Sequence, residues 1–261
     1  MESKTILINS EDRNSGTSSD FTYEIPNNGD FTHCCILGCN IPVSYYLIQA
    51  PYNTFTLTEL SSSIVITVPI GNYNVNSFQT VLTVLLNTNS PNNWIYSMVF
   101  NNDFLLQATG MYTFKVTGNS GQQPRFVFPV NSEIHTQMGF NGKSTVIFSG
   151  NSLTSTNVLS FIPETVLSIQ SDLCEDSNLL TIFHNNSIPY ANISFQCQTD
   201  LYSKRLRSNA KDSLYNFNLL DQNGRNINLN GLPLLMNILL YKKDEQYKTD
   251  IQNYIKYKVS K

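Results

Sequence analysis

Apolar residues recur along this chain mostly at every second position, in short runs separated by Asn, Gly, Pro and Ser. The pattern predicts strands over TILINS (5–10), FTHCCILGCNIP (31–42), NTFTLTEL (53–60), SSIVITVPI (62–70), IYSMVFN (95–101), YTFKVTG (112–118) and RFVFPV (125–130). It predicts more over TNVLSFI (156–162), TVLSIQSD (165–172), NLLTIFHN (178–185), NISFQCQ (192–198), YNFNLLD (215–221) and MNILLYKK (236–243). In FTLTEL the alternation puts Phe55, Leu57 and Glu59 on one face and Thr56, Thr58 and Leu60 on the other. Many short strands with polar connections imply an all-β antiparallel sandwich or barrel rather than a parallel α/β sheet.

Two segments break the two-residue period. In VNSFQTVLTVLLN (75–87), Phe78, Val81, Leu82, Leu85 and Leu86 form the stripe of an amphipathic helix, with Asn74 or Asn76 placed to cap it. NSEIHTQMGF (131–140) predicts a short helix ending at Gly139. Both lie within 53–148, which therefore reads as an α+β subdomain inserted in an otherwise all-β chain. In LLDQNGRNINLNG, Asn223-Gly224 is a favoured type I′ turn pair, so a hairpin is expected there, with Asp221 bonding turn amides and Arg225 lying across the strand pair.

Composition sharpens this picture. Only 13% of the 261 residues are charged, against 41% hydrophobic, and 33 are Asn. A surface so poor in charge fits a protein that buries its outside against other subunits, and codon bias toward Asn accounts for it equally well. The net charge of −3 is uneven: residues 1–199 carry 5 Lys/Arg and 13 Asp/Glu, residues 200–261 carry 11 and 6. The densest basic run, YSKRLRSNAK, holds Lys204, Arg205 and Arg207, candidates to face nucleic acid. Its structural alternative is a solvated loop. The five cysteines lack the spacing of a disulfide framework, MESKTILINSEDR has no apolar signal-peptide core, and no apolar run reaches the ~18 residues of a membrane span. A soluble, reduced, intracellular protein is expected.

Candidate chemistry is thin. INSEDRNSG (8–16) sets Glu11 and Asp12 beside Arg13, either a small acid–base cluster or a polar grip on a neighbour. HCCILGC is the one concentration of soft metal ligands; Cys35 and Cys39 can share a strand face beside His33, and a buried strand is the competing reading. DLCEDSN groups Asp172, Glu175 and Asp176 without the spacing of a calcium loop. WIYSMVFNNDF (Trp94, Tyr96, Asp103) is the best place for an exposed sugar-binding cluster, with core packing as its alternative. No phosphate-cradling loop, nucleophile elbow or zinc-protease motif occurs, and no cofactor or metal is expected.

Four stretches in order carry a family resemblance: INSEDRNSGTSSDFTYEIP, CCILGCNIPVSYYLI, ITVPIGNYNVNSFQTVLTVLLN and FNLLDQNGRNINLNGLPLLMNILLYKK. The series resembles the penton and minor capsid proteins of the polinton, virophage and giant-virus lineage, whose major capsid protein is a double jelly roll. The matching features are the polar segment before the first strand, the strand end at Ile41-Pro42 with Tyr45 and Tyr46, the Gly71 turn with its helix, and the late Asp221-to-Gly231 run. They span about 8–243. The resemblance implies a non-enzymatic jelly-roll vertex subunit, a homopentamer at the capsid five-folds, in contact with major and other minor capsid proteins. It implies a virion location and synthesis in host cytoplasm or a virus factory. The layout expected is an N-terminal arm (1–24), a sandwich (25–52 with 149–243), the inserted subdomain (53–148) and a basic C-terminal tail (244–261). Asp12, Arg13, Tyr45 and Tyr46 are then expected at inter-subunit contacts, and Pro42, Gly71, Asp221, Asn223, Gly224 and Arg225 at turns. A receptor- or carbohydrate-binding jelly roll and a metal-dependent enzyme stay open as alternatives.

Overall fold

The computed structural model describes residues 3–25, 31–101, 109–162, 164–184, 191–197, 202–207 and 214–242. The expected basic tail, 244–261, lies outside the described residues, as does Asp103. The chain divides into two units, 1–45 with 164–261, and 46–163.

In chain order the first segment gives β1 (Ser3–Asn9), a 3-10 turn (Ser10–Asp12), β2 (Ser15–Gly16), β3 (Asp20–Glu24) and β4 (His33–Pro42). The middle gives β5 (Thr54–Glu59), β6 (Ser62–Thr67), α1 (Val75–Asn89), β7 (Ile95–Asn101), β8 (Met111–Thr117) and β9 (Arg125–Val127). It continues with α2 (Ile134–Met138), β10 (Thr145–Ile147) and β11 (Ser152–Thr154). The return gives β12 (Val166–Ser171), β13 (Asn178–Phe183), β14 (Asn192–Gln196), β15 (Lys204–Arg205), β16 (Leu214–Leu220) and β17 (Leu235–Tyr241).

The first unit is an antiparallel jelly-roll sandwich. One sheet runs β1-β17-β4-β14, with β15 also on β4; the other runs β13-β12-β16-β3-β2. Inward residues of both sheets form one core, including Ile8, Ile36, Ile41, Met236 and Ile238 from the first and Phe21, Leu167, Ile169, Phe217 and Leu219 from the second. The N-terminal arm expected over 1–24 is therefore a correction. β1 pairs along its whole length with β17 (Ile8 opposite Met236), and β3 pairs with β16 (Phe21 opposite Phe217). Ile8 and Phe21 are core residues, so the alternation in this stretch reports a buried face rather than a free arm.

The second unit holds two small sheets, β10-β9-β5-β6 and β11-β8-β7, with both helices. The stripe expected on α1 is buried at Phe78, Leu82 and Leu86. A reciprocal capping box closes its start, Ser77 N donating to Asn74 Oδ1 (2.9 Å) and Asn74 N to Ser77 Oγ (3.0 Å). α2 ends at Gly139 with φ 76°, where a Cβ would meet Asn157 O at 2.6 Å. Phenylalanines fill the core: Phe126 lies edge-on to Phe55, Phe114 and Phe148 at centroid distances of 5.5, 5.2 and 5.4 Å. Such pairs add about 0.5–1.5 kcal/mol each beyond their buried area.

The strand expected over 156–162 does not form. Backbone N–H groups there donate one at a time to Gly139, Gly110 and Thr136, so no ladder runs alongside, and Val158 and Ile162 are exposed. Glu59 shares the buried face with Phe55 and Leu57, as the alternation requires, and its carboxylate is fully buried. Oε1 accepts from Ser90 Oγ (2.7 Å) and Tyr96 OH (2.8 Å), and Oε2 from Asn92 N (2.9 Å) and Nδ2 (3.1 Å). The carboxyl group thus ties β5 to β7 and to the loop after α1. Glu59→Leu strands those donors without an acceptor, and should lower stability by about 3 kcal/mol. Urea unfolding followed by Trp94 fluorescence measures the loss.

Candidate functional site

Asp12 and Arg13 lie in the turn between β1 and β2. Ser10 is buried there, exchanging hydrogen bonds with the backbone of Leu234: its N–H donates to Leu234 O (3.0 Å) and its Oγ accepts from Leu234 N (2.9 Å). Arg13 closes the turn, Nη1 donating to Ser10 O (2.8 Å) and Nε to Gly16 O (3.0 Å). Its guanidinium is thus occupied by carbonyls of its own turn rather than by the carboxylates beside it. Both Asp12 and Arg13 are exposed.

Three residues singled out in two motifs come together in the first unit, with two that the sequence did not mark. Asp221 takes three hydrogen bonds, Oδ1 from Asn223 N (2.8 Å) and Arg225 N (2.9 Å) and Oδ2 from Arg225 Nε (2.6 Å), and its Oδ2 is ion-paired with Arg225 Nη2 (2.5 Å). Arg225 Nη2 also lies 3.6 Å from Glu164 Oε1. Tyr45 OH donates to Glu164 O (3.3 Å) and lies 3.5 Å from His184 Nε2. With its acceptor positions occupied, Asp221 locks the turn. Burial first, then the Glu164 charge, pushes the Tyr45 phenol up to about 12. It therefore stays a protonated donor.

The turn itself differs from the expected type I′. Of its central residues only Gly224 has positive φ (76°), Gly224 N donates to Asp221 O (3.1 Å), and Asp221 N donates to Arg225 O (2.9 Å). This is the three-residue loop with a left-handed glycine bulge. The Asp221 carboxylate selects it by holding the amides of Asn223 and Arg225. Beyond it NINLNG forms a single bridge, Leu220 to Asn226, rather than a second strand.

Tyr45, expected at an inter-subunit contact, is buried within its own unit; Tyr46, in the other unit, is half-exposed. Pro42 ends β4 opposite Asn192. Gly71 exchanges backbone hydrogen bonds with Ile48 (3.0 and 3.1 Å), which makes the GNY turn a brace for its own unit.

The basic run and the acidic turn, separate in sequence, meet. Lys204 Nζ lies 2.8 Å from Asp176 Oδ2, and Arg205 Nε lies 3.6 Å from Glu175 Oε1. The Lys204 hydrogen bond, then the Asn178 amide, lowers the Asp176 pKa. Exposed pairs of this kind contribute under about 1 kcal/mol each, and their effect here is to neutralise both segments. Arg207 is exposed beside them.

At HCCILGC and at Trp94 the structure follows the structural alternative, a buried strand and core packing. β4 carries a bulge at Leu37: Ile238 pairs with Ile36 and Asn237 with Gly38. Cys34, Ile36, Cys39 and Ile41 consequently face the core while Cys35 does not, so Cys35 and Cys39 do not share a face. Among the described residues no group of three His, Cys, Asp or Glu is placed to hold a metal. Trp94 and Tyr96 are core residues, in keeping with the core-packing alternative for that stretch. Among the described residues no helix is long and apolar enough to cross a membrane.

No family model and no curated protein matches the chain. Among solved structures, the crystal structure of the mavirus penton protein is similar at a TM-score of 0.47 and 12% identity, covering 92% of this chain and 100% of that one. No residue role is carried from that protein to this one.

Replacing Asp221 by Ala should cost about 2 kcal/mol, since it removes the acceptor shared by two part-buried amides and the Arg225 guanidinium, whereas Asn223→Ala should cost under about 1 kcal/mol. Equilibrium denaturation of the two variants checks the contrast. Tyr45 is raised above its ordinary 10, so its contribution to stability is fully present below pH 10 and is lost as pH rises toward about 12. Stability in urea should therefore fall across pH 10–12, with less fall in Tyr45→Phe.

Proposed function

We propose that this chain is a structural subunit of a viral capsid, the penton, and that five copies assemble around the icosahedral five-fold axis against neighbouring major capsid protein. One observation carries the proposal: the four stretches that resemble the capsid family keep the family's order along a chain folded as a jelly-roll sandwich. Three of them fall on β1–β3, on β4 and the residues after it, and on β16–β17; the fourth falls on β6 and α1. A ring of five is what a head-to-tail interface gives when its rotation closes.

Outward positions across β12, β16 and β3 include the neutral Ser168, Gln170, Asn216, Asn218 and Thr22, with the exposed carboxylates of Asp20 and Glu24 at the two ends of β3. Asp12, Arg13 and Tyr46 are the residues we assign to neighbour contacts, Arg13 through the turn it closes. Lys204 and Arg205 are engaged with Asp176 and Glu175, so genome contact is not assigned to them.

Native mass spectrometry of the full chain tests the proposal. The expected particle is five times the 29.5 kDa chain. A monomer or a trimer at micromolar concentration overturns the penton assignment. Asp12→Lys with Tyr46→Ala should shift a pentamer toward monomer at unchanged chain stability.

A further inference from the structure

Cys34 and Cys174 lie 140 residues apart, yet their sulfurs are 3.0 Å from each other, and both side chains are fully buried. Cys34 is on β4 in one sheet of the sandwich; Cys174 is in the connection from β12 to β13 of the other. A short piece of backbone holds the two in place. Lys204 of β15 pairs with Cys34, and two residues on Leu206 bridges Cys174. Leu206 N donates to Thr32 O (3.0 Å) on one side, while Arg207 N donates to Leu173 O and Glu175 N to Arg205 O (both 3.0 Å) on the other. The ion pairs of Lys204 with Asp176 and Arg205 with Glu175 clamp the same strand to the same turn. The sulfurs therefore meet because both flanking backbones are pinned to residues 204–207, and approach by about 1 Å completes a bond of ordinary length.

We propose that Cys34 and Cys174 are a redox modification site, a thiol pair that closes to an inter-sheet disulfide when the protein meets a disulfide oxidant such as oxidised glutathione or a thiol oxidoreductase. One thiolate attacks the oxidant's disulfide and releases one thiol; the second thiol, losing its proton, attacks the mixed disulfide and releases the other. The protein pair gives up two protons and two electrons, and the oxidant's disulfide becomes two thiols. The Cys174 contact and burial hold the Cys34 thiol protonated, far above the ordinary range, so the folded reduced protein reacts slowly. The bond forms fastest when the 172–177 turn is open, as during folding. This site stands apart from the capsid proposal and does not depend on it.

The test uses the full chain in two samples, one folded and incubated with oxidised glutathione, the other refolded in it. Each is then denatured, alkylated and mapped by mass spectrometry. The expected result in the refolded sample is alkylation at Cys35, Cys39 and Cys197 only, with a linked pair of peptides carrying Cys34 and Cys174 and lighter by two hydrogens. The folded sample should reach the same state more slowly. Five alkylated cysteines in both samples, or a link to any other cysteine, overturns the proposal. The oxidised protein should melt roughly 5–10 °C above the reduced one. Cys174→Ala should show no difference between the two conditions, and an equal rise in that variant also overturns the assignment.

Discussion

The sandwich depends on one pairing: the last described strand, β17, lies between the first strand, β1, and β4. Its register is set on both sides, Ile238 lying opposite Ile6 and Ile36, and Met236 opposite Ile8 and Cys39. β1 has no ladder partner, and β4 has only β14 and β15, until β17 arrives more than 190 positions after β4, so the loop-closure entropy is large and the reward comes late. Much else follows from that insertion. Ser10 meets Leu234 because β1 and β17 are neighbours, and the turn carrying Asp12 and Arg13 is held in place by it. An N-terminal stretch that looks detachable in sequence is the wall against which the C-terminal strand is built.

The asparagine content acquires a local explanation beside those of interface and codon bias. Many of these amides stand in for backbone partners where the chain turns. Asn87 accepts from Tyr96 N (2.7 Å) and donates to Tyr96 O (2.9 Å), as a neighbouring strand would. Asn53 donates to Val68 O (2.6 Å), Asn72 accepts from Leu47 N (2.8 Å), and Asn230 donates to Ser44 O (2.6 Å). A fold with many short strands has many ends, and each end leaves peptide groups that need partners. Short neutral amides supply both a donor and an acceptor without burying a charge.

Period and capping made the regular elements legible. The two-residue alternation located most strands and placed even Glu59 on the correct face, and the stripe from Phe78 to Leu86 with Asn74 located α1. Alternation failed at 156–162, where apolar residues alternate with no neighbouring strand to pair with. It also missed strands of two or three residues such as β2 and β15, which are too short to show a period. The site was legible only in part. Asp221 and Arg225 were visible as a turn motif, but Glu164 and His184 join them through tertiary contacts that leave no local signature. The same holds for Cys34 and Cys174, and for the ion pairs of Lys204 and Arg205. Each pairing is silent in the sequence because the partner lies elsewhere in the chain.

The position of the second unit within the chain has a consequence for synthesis. Residues 46–163 contain all of that unit's strands and helices, so they can complete their fold while the ribosome is still making β12 onward. The other unit cannot. Until β17 has left the exit tunnel, β1 and β4 present unpaired edges and the apolar faces of Ile8, Ile36 and Ile41 to water. For the length of that delay the nascent chain is a finished module carried beside an open half-sandwich, and it is the open half that draws chaperones or aggregates.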